Sequence, residues 1–192
     1  MQSDYQTLMD KLGYTFRNPR LLEKALTHSS YANEGKHGGE SNERLEFLGD
    51  SVLGFVAAKY LFEKETGPEG ELTKLRAAVV CEKALCSYSQ ELGLGDYLLL
   101  GKGERLTGGA ERPSILADAF EAVIAAMYLD GGLEPVRTFV LRFIEKEANN
   151  QRRRHFKDYK TTLQEIVQQN PEERLEYVLT GESGPDHDKQ FQ

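Results

Sequence analysis

The chain has 192 residues, of which 39% are hydrophobic and 29% are charged, and its formal net charge is −7. About 75 hydrophobic side chains suffice for one domain of roughly 100–150 residues and a smaller second unit. Apolar runs stay below the ~18–20 residues of a membrane helix, and the first residues lack the basic and apolar regions of a secretory signal. Composition therefore excludes membrane and secreted proteins and predicts a cytoplasmic protein with no membrane partner.

Residues 1–150 predict a series of helices, because no stretch shows the alternating pattern of a strand. Cap residues, prolines and glycines mark their ends. The first predicted helix begins at Asn18–Pro19. Four more are predicted, from about Asn42 to Glu65, from about Thr73 to Leu92, from Pro113 to Asp130 and from Glu134 to about Asn149. A glycine-rich loop is predicted at residues 34–40.

The composition changes after residue 150. Segment 151–157 (QRRRHFK) predicts a basic linker between a domain at 1–150 and a second unit at 158–192. Residues 151–192 carry 7 Lys and Arg against 8 Asp and Glu, with most of the basic residues in the linker or just after it. In the second unit we expect a short helix at 159–169, a strand at 176–180, a turn-rich loop at 181–188 and the start of another strand at 189–191.

Acidic side chains share one face of the predicted helix that begins at Asn42. At 100° per residue, Glu43, Glu46 and Asp50 fall within an arc of about 60°. Five apolar residues on the opposite side predict a core-facing strip: Leu45, Leu48, Val52, Phe55 and Val56. Repulsion between the acids costs about 0.2–0.5 kcal/mol per pair on an exposed helix, and a bound cation would remove it. Taken alone, the pattern fits a solvated acidic face equally well.

A second pair of acids lies in a segment that is apolar nearly all round. Residues 114–129 (SILADAFEAVIAAMYL) predict a buried helix whose only charges are Asp118 and Glu121. Buried carboxylates are paired, protonated or bound to metal, and the helix contains no Lys or Arg. We therefore expect Asp118 and Glu121 to lie beside Glu46 and Asp50 around a divalent cation. Oxygen ligands without His or Cys suit Mg²⁺ or Mn²⁺, and carboxylate-held Mg²⁺ is typical of phosphoryl chemistry.

Other kinds of site have less support. A di-iron centre needs Glu-x-x-His on helices, and the one such spacing, Glu34 to His37, lies in the glycine-rich loop. Cys81 and Cys86 fall about 140° apart on a predicted helix, so they cannot pair with each other, and we expect both to be small, buried hydrophobic residues. The sequence has no Cys/His cluster of the kind that binds zinc. His28 ends an apolar helix and is expected to be a hydrogen-bonded structural residue. No small-molecule cofactor is predicted.

Residues 42–53 (NERLEFLGDSVL) resemble the signature motif of the ribonuclease III family, endonucleases that cut double-stranded RNA. Segments 21–28 and 117–126 resemble the N-terminal segment and the second acidic helix of that family. Residues 158–167 (DYKTTLQEIV) and 184–187 (GPDH) resemble the opening of a double-stranded-RNA-binding domain. The resemblance implies an all-α endonuclease domain followed by an incomplete α+β double-stranded-RNA-binding domain, with only its α-β-β start.

The resemblance also implies roles for individual residues. It implies that Glu46, Asp118 and Glu121 are metal ligands, and that Asp50, Glu121 and Glu43 are catalytic. Glu69 matches a peripheral acid. It further implies Mg²⁺, for which Mn²⁺ can substitute, and a homodimer with one site per strand. The products would carry 5′-phosphate and 3′-hydroxyl ends with two-nucleotide 3′ overhangs, and the substrates would be precursors of ribosomal, transfer and messenger RNA.

The expected RNA contacts follow the same resemblance. Thr161, Gln164 and Glu165 match a helix that lies against the minor groove, and His187 matches a loop that enters a second minor groove, where shape and 2′-hydroxyls are recognised. Each of these four residues fits a solvated helix or turn position as well. Phosphate contacts supply most nucleic-acid affinity. The resemblance implies that the basic residues of the rest of the RNA-binding domain are missing, so we expect weak, strongly salt-dependent binding.

Two alternatives to an endoribonuclease remain open at this point. A non-catalytic double-stranded-RNA-binding protein on the same fold would bind a duplex without cutting it. A purely structural helical dimer would show no response to metal. The complete set of acids favours the endoribonuclease, because a protein that only binds RNA gains nothing from carboxylates held near phosphates.

Overall fold

The computed structural model describes residues 2–34, 39–168, 182–183 and 190–191, with side chains over 5–34 and 39–153. The chain divides into two compact units, Met1–Gln151 and Arg152–Gln192. Regular structure in the described part of the first unit is helical, apart from one bridge between Thr27 and Leu99. The all-α prediction for this part of the chain is therefore confirmed. None of the described helices is both long and apolar enough to cross a membrane.

The helices follow one another with short connections. In chain order they are α1 Gln2–Leu12, α2 Pro19–Ala25, α3 Ser29–Glu34, α4 Glu43–Lys64, α5 Glu69–Val80, α6 Glu82–Leu92, α7 Lys102–Leu106, α8 Pro113–Gly131 and α9 Leu133–Gln168. Two 3₁₀ turns lie at Leu94–Tyr97 and Gly109–Glu111. In the second unit, strand β1 (Glu182–Ser183) pairs antiparallel with strand β2 (Gln190–Phe191).

Several helix ends lie where the sequence predicts them. Asn18 caps α2, since its side chain accepts a hydrogen bond from the backbone N–H of Arg20, and Pro19 is the first helical residue. Helix α4 ends at Lys64, just before Gly67 and Pro68. Pro113 likewise begins α8. Local capping chemistry is thus enough to fix these boundaries.

The segment predicted as one helix from about Thr73 to Leu92 is two helices in the structure. Cys81 separates α5 from α6 with an extended backbone (φ −72°, ψ 157°). No glycine or proline marks the break, so the prediction was wrong. The break is held by a tertiary contact, because the buried hydroxyl of Tyr88 donates to the carbonyl of Val79 at 3.1 Å. Both thiols are free; Cys86 is buried, as predicted, but Cys81 is exposed, so the prediction of a buried residue was wrong for Cys81.

The last helix is much longer than the sequence analysis predicts. Its predicted end near Asn149 is wrong, because α9 continues to Gln168 and residues 151–157, predicted as a linker, are helical. Between Pro135 and Pro171 the chain has no glycine or proline, and this stretch is rich in Gln, Glu, Lys and Arg, which favour helix.

Only part of the predicted second unit can be compared with the structure. Strand β2 overlaps the strand predicted to start at 189–191, whereas β1 lies in a segment predicted as a turn-rich loop. The predicted strand at 176–180 lies outside the described residues. The α+β character expected for this unit therefore remains a prediction.

Helix α8 forms the centre of the first unit, and α2, α4 and α6 pack around it. Phe120 and Ile124 of α8 are fully buried. Four aromatic rings join α6, α8 and α9, with centroids 5.0 to 5.6 Å apart: Tyr88, Phe120, Phe139 and Phe143. This packing holds the helix that carries Asp118 and Glu121 in a fixed position.

The strip of α4 predicted to face the core is narrower than expected. Leu45, Val52 and Val56 are buried and Leu48 is partly buried, but Phe55 is 56% exposed, so its prediction was wrong. Phe55 lies at the edge of the predicted arc, beyond the side that contacts α8. Together with Phe47 (79% exposed) and Phe62 (78% exposed) it forms a row along α4, called here the aromatic stripe.

Candidate metal centre

Helices α4 and α8 bring three carboxylates together. Glu46 of α4 and Asp118 and Glu121 of α8 each offer one oxygen, and these oxygens all lie within 4.8 Å of one another. All three residues are half-buried. The charge pattern of the sequence predicts that these three acids and Asp50 lie together. The structure groups the three, and Asp50 stays outside the group.

A glycine allows the two helices to approach at this point. A Cβ atom added to Gly49 of α4 would lie only 1.9 Å from the carbonyl oxygen of Glu121, so any other residue would push α4 away from α8. Gly49 is not among the site residues predicted from the sequence. The available signal was a glycine inside a helix, between Glu46 and Asp50, where it lowers helix propensity without an evident local reason.

Both ends of α8 are anchored to other parts of the unit. Near its start, the guanidinium of Arg112 pairs with Glu104 of α7 at 2.5 Å. Near its end, the carboxylate of Asp130 accepts hydrogen bonds from the hydroxyl of Tyr14 at 2.7 Å and from the backbone N–H groups of Arg17 and Asn18. These contacts fix the position of α8 along its axis, and therefore the positions of Asp118 and Glu121.

The cluster is electrostatically unfavourable without a cation. Burial raises the pKa of Glu121 to about 8, with further contributions from Asp50, Glu46 and Asp118. Burial also raises the pKa of Glu46, and the negative charges of Asp118, Glu43 and Asp50 raise it further. Among the described residues, no side chain or backbone group donates a hydrogen bond to these three carboxylates. Crowded carboxylates with only oxygen atoms to offer fit a divalent cation such as Mg²⁺ or Mn²⁺.

Two groups outside the predicted acid set change the pKa of Asp118. Burial raises its pKa, His28 opposes that effect and Glu82, in the first turn of α6, adds to it. Glu82 is not among the residues predicted from the sequence. Glu82 begins α6 directly after the break at Cys81, and no local pattern predicts that break.

The remaining predicted acids have different surroundings. Asp50 and Glu43 are exposed on α4, near enough to influence the pKa of Glu46. Glu69 is the exposed first residue of α5, where its carboxylate accepts a hydrogen bond from the hydroxyl of Thr73 at 2.6 Å. The structure does not bring Glu69 into the group of three carboxylates.

The predicted RNA-binding residues stay predictions. Thr161, Gln164 and Glu165 belong to α9, in the part of the helix whose side chains are not described. His187 lies outside the described residues.

Comparison with known proteins agrees with this geometry. A family model described as Ribonuclease-III-like matches residues 18–148. Ribonuclease 3 of Bacillus cytotoxicus is 50% identical over 189 residues, which cover 97% of this chain and 77% of that protein. Ribonuclease 3 of Bacillus cereus strain AH187 is 49% identical with the same coverage.

Solved structures show the same likeness. Two structures of the nuclease domain of ribonuclease III from Campylobacter jejuni match with TM-scores of 0.68 and 0.66 and identities of 47% and 45%. Each match covers 73% of this chain, and 96% and 93% of the respective domain. The chain belongs to the ribonuclease III family, as residues 42–53 predict. It is an endoribonuclease.

Proposed function

We propose that the protein hydrolyses double-stranded RNA endonucleolytically, in a Mg²⁺-dependent reaction in the cytoplasm. The proposed products carry 5′-phosphate and 3′-hydroxyl ends with two-nucleotide 3′ overhangs, and the proposed substrates are precursors of ribosomal, transfer and messenger RNA. The observation that carries the proposal is the meeting of Glu46, Asp118 and Glu121 within 4.8 Å. Membership of the ribonuclease III family supports the substrate class.

Glu46, Asp118 and Glu121 are the proposed ligands of the cation, and Mn²⁺ would substitute for Mg²⁺ because both take oxygen ligands. A divalent cation at such a cluster neutralises the acids and stabilises the charge that develops on a phosphate during hydrolysis. The half-buried position of the three carboxylates limits their contact with bulk water, which strengthens electrostatic interactions at the site.

The other acids would act on water and substrate at the exposed side of the cluster. Asp50 lies one turn after Glu46 and is exposed, so its carboxylate can accept a hydrogen bond from an attacking water and orient it. Glu43 lies one turn before Glu46 and extends the same acidic face. Glu69 is proposed as a peripheral acid only. Contacts to the minor grooves are proposed for Thr161, Gln164, Glu165 and His187.

We further propose that the protein works as a homodimer, with one site for each RNA strand. The nuclease domain of Campylobacter jejuni ribonuclease III is described as having a flexible region involved in dimer formation. In this chain, the aromatic stripe of α4 exposes three phenylalanine rings on the helix that carries Glu46. Exposed aromatic rows of this kind are typical of protein interfaces.

The test is cleavage of an end-labelled, fully paired RNA duplex at low salt, with and without Mg²⁺. We expect the wild type to release short duplexes only with Mg²⁺, and Glu121→Gln to lose at least about 100-fold in rate, because a cation ligand and its charge are removed. Glu134→Gln is the matched control, since Glu134 is an exposed acid of α9 that pairs with Arg137.

Activity of Glu121→Gln within about tenfold of the wild type would overturn the assignment of this residue. Wild-type protein that retains the duplex without cutting it, with and without Mg²⁺, would instead support a non-catalytic double-stranded-RNA-binding protein. Equal cleavage with Mg²⁺ and with a chelator would contradict the metal dependence.

A further inference from the structure

His28 is fixed at a junction between α2, α4 and the segment before α7. Its backbone N–H donates to the carbonyl of Leu99 at 3.1 Å. The carbonyl of the preceding residue, Thr27, accepts a hydrogen bond at 2.8 Å from the backbone N–H of Asn42, immediately before α4. The position of His28 is therefore tied to the start of the helix that carries Glu46.

Hydrogen bonds also fix the proton of the imidazole ring. The backbone N–H of Ser30 lies 3.2 Å from Nδ1 of His28 and can only donate. The hydroxyl of Ser30 lies 2.8 Å from the same nitrogen and accepts a hydrogen bond from the backbone N–H of Gly101, which leaves its own proton for Nδ1. Nδ1 is thus an acceptor, and this network assigns the ring proton to Nε2.

The Nε2–H group is a donor without an acceptor in the part of the chain that the structure describes. His28 is half-buried, so the ring is partly open to solvent. When the ring is protonated, its charge lowers the pKa of Asp118, which places His28 beside the acidic cluster. A directed N–H donor at the edge of an acidic cluster matches an anionic oxygen, and RNA supplies such oxygens in every phosphate.

We propose that His28 is a substrate-binding residue of the cleavage site, whose Nε2–H donates a hydrogen bond to a non-bridging phosphate oxygen of the RNA strand held there. The proposal rests on the proposed function, since it takes double-stranded RNA as the substrate. It is compatible with the structural role expected for His28, because Ser30 occupies Nδ1 and the phosphate would occupy Nε2.

Two variants separate the two ring nitrogens. His28→Asn places an acceptor near the position of Nδ1, which keeps the contact with Ser30, but lacks the distal donor. His28→Gln places an N–H group near the position of Nε2 but lacks the Nδ1 acceptor. We expect His28→Asn to raise the KM for the duplex about tenfold or more, with little change in kcat, and His28→Gln to stay close to the wild type.

Three further measurements do not require turnover. Duplex binding is followed by fluorescence anisotropy with Ca²⁺ in place of Mg²⁺, at a Ca²⁺ concentration that yields no product. Mn²⁺ binding without RNA is followed by electron paramagnetic resonance, and stability by thermal unfolding. We expect His28→Asn to weaken duplex binding about tenfold while its Mn²⁺ affinity and Tm stay at wild-type values.

Two results would overturn the proposal. Impaired binding by His28→Gln together with wild-type binding by His28→Asn would show that the ring serves only the contact with Ser30. Weaker Mn²⁺ binding by His28→Asn in the absence of RNA would show that His28 acts through Asp118. Failure of the proposed function itself has a different signature, because the wild type would then fail to cut the duplex in the presence of Mg²⁺.

Discussion

Within the cluster, the carboxyl group of Glu121 has the most strongly raised pKa. Burial and three neighbouring acids raise its pKa from an ordinary value of 4.5 to about 8. Between these two pH values, and without a cation, the folded protein keeps a proton that the unfolded chain has lost. Raising the pH through this range therefore lowers the free energy of unfolding, and the full loss is reached above about pH 8.

Glu121→Gln removes this titration and should stabilise the metal-free protein at high pH. With a chelator present, we expect the variant to be more stable than the wild type by about 1 kcal/mol near pH 9, a Tm rise of about 2–4 °C, because solvent screens a half-buried group. The difference should shrink as the pH falls toward 4.5, because below this value Glu121 is protonated in the unfolded chain as well as in the folded protein. Circular dichroism melts across this pH range measure the effect.

Glu134→Gln serves again as the control, and its pH dependence should follow that of the wild type. Saturating Mg²⁺ should raise the Tm of the wild type but not that of Glu121→Gln, because ligand binding stabilises only a protein that holds the ligand when folded. Parallel pH curves for Glu121→Gln and wild type would contradict the raised pKa of Glu121.

At the scale of single residues, sequence predicts chemistry where a side chain conflicts with its surroundings. Asp118 and Glu121 stand out because they are charged within an otherwise apolar helix, and the structure places both in the cluster. Glu82 does not stand out, because it is an ordinary first-turn acid whose approach to Asp118 depends on tertiary structure. Ring nitrogens such as those of His28 acquire distinct roles only through contacts that the fold creates.

At the scale of helices, the site depends on the close crossing of α4 and α8. Gly49 permits it, since a Cβ atom there would overlap the backbone of Glu121. Glu46 lies nearly one turn before Gly49 and Asp50 lies directly after it, so a displacement of α4 at this point moves both acids away from α8. The geometry of the cluster and the packing of the two helices are therefore coupled.

Gly49→Ala should destabilise the protein by about 1–3 kcal/mol, because the added methyl group forces the helices apart. It should also lower Mg²⁺-dependent cleavage by more than the lost stability explains, since the carboxylates separate. Gly54→Ala is a matched control on the same helix. A Cβ atom at Gly54 meets nothing within 4 Å, so we expect a gain of about 0.5–1 kcal/mol from helix propensity.

Urea unfolding and duplex cleavage at a temperature where both variants are folded test this pair. Wild-type stability and activity in Gly49→Ala would show that the helices do not cross as closely as the structure indicates. A loss of the same size in Gly54→Ala would assign the effect to glycine replacement in general, not to the crossing.

Helix boundaries were predictable where local chemistry sets them. Asn18 with Pro19, and Gly67 with Pro68, mark ends that the structure reproduces. The break at Cys81 has no such signal, because contacts such as that of Tyr88 with Val79 hold it. The continuation of α9 past Asn149 follows from the absence of any residue that stops a helix, and a change in charge was not enough to predict its end.

At the scale of the whole molecule, packing within a single chain does not explain why the aromatic stripe is exposed. Phe47, Phe55 and Phe62 are each more than half exposed, although large aromatic side chains gain most from burial. A second copy related by a two-fold axis would present the same row, so the surface can pair with itself. Because α4 also carries Glu46, such pairing would fix two acidic clusters relative to each other.

Phe47→Asp should convert the dimer to a monomer, because a charge in an apolar interface loses its hydration without gaining a partner. Sedimentation velocity should then show the mass falling from twice to once the 21.7 kDa of the chain. Leu106→Asp is the control, since Leu106 is 88% exposed on α7 and lies outside the stripe. A wild type that sediments as a monomer, or a dimer that survives both Phe47→Asp and the double change with Phe55→Asp, would contradict pairing through this face.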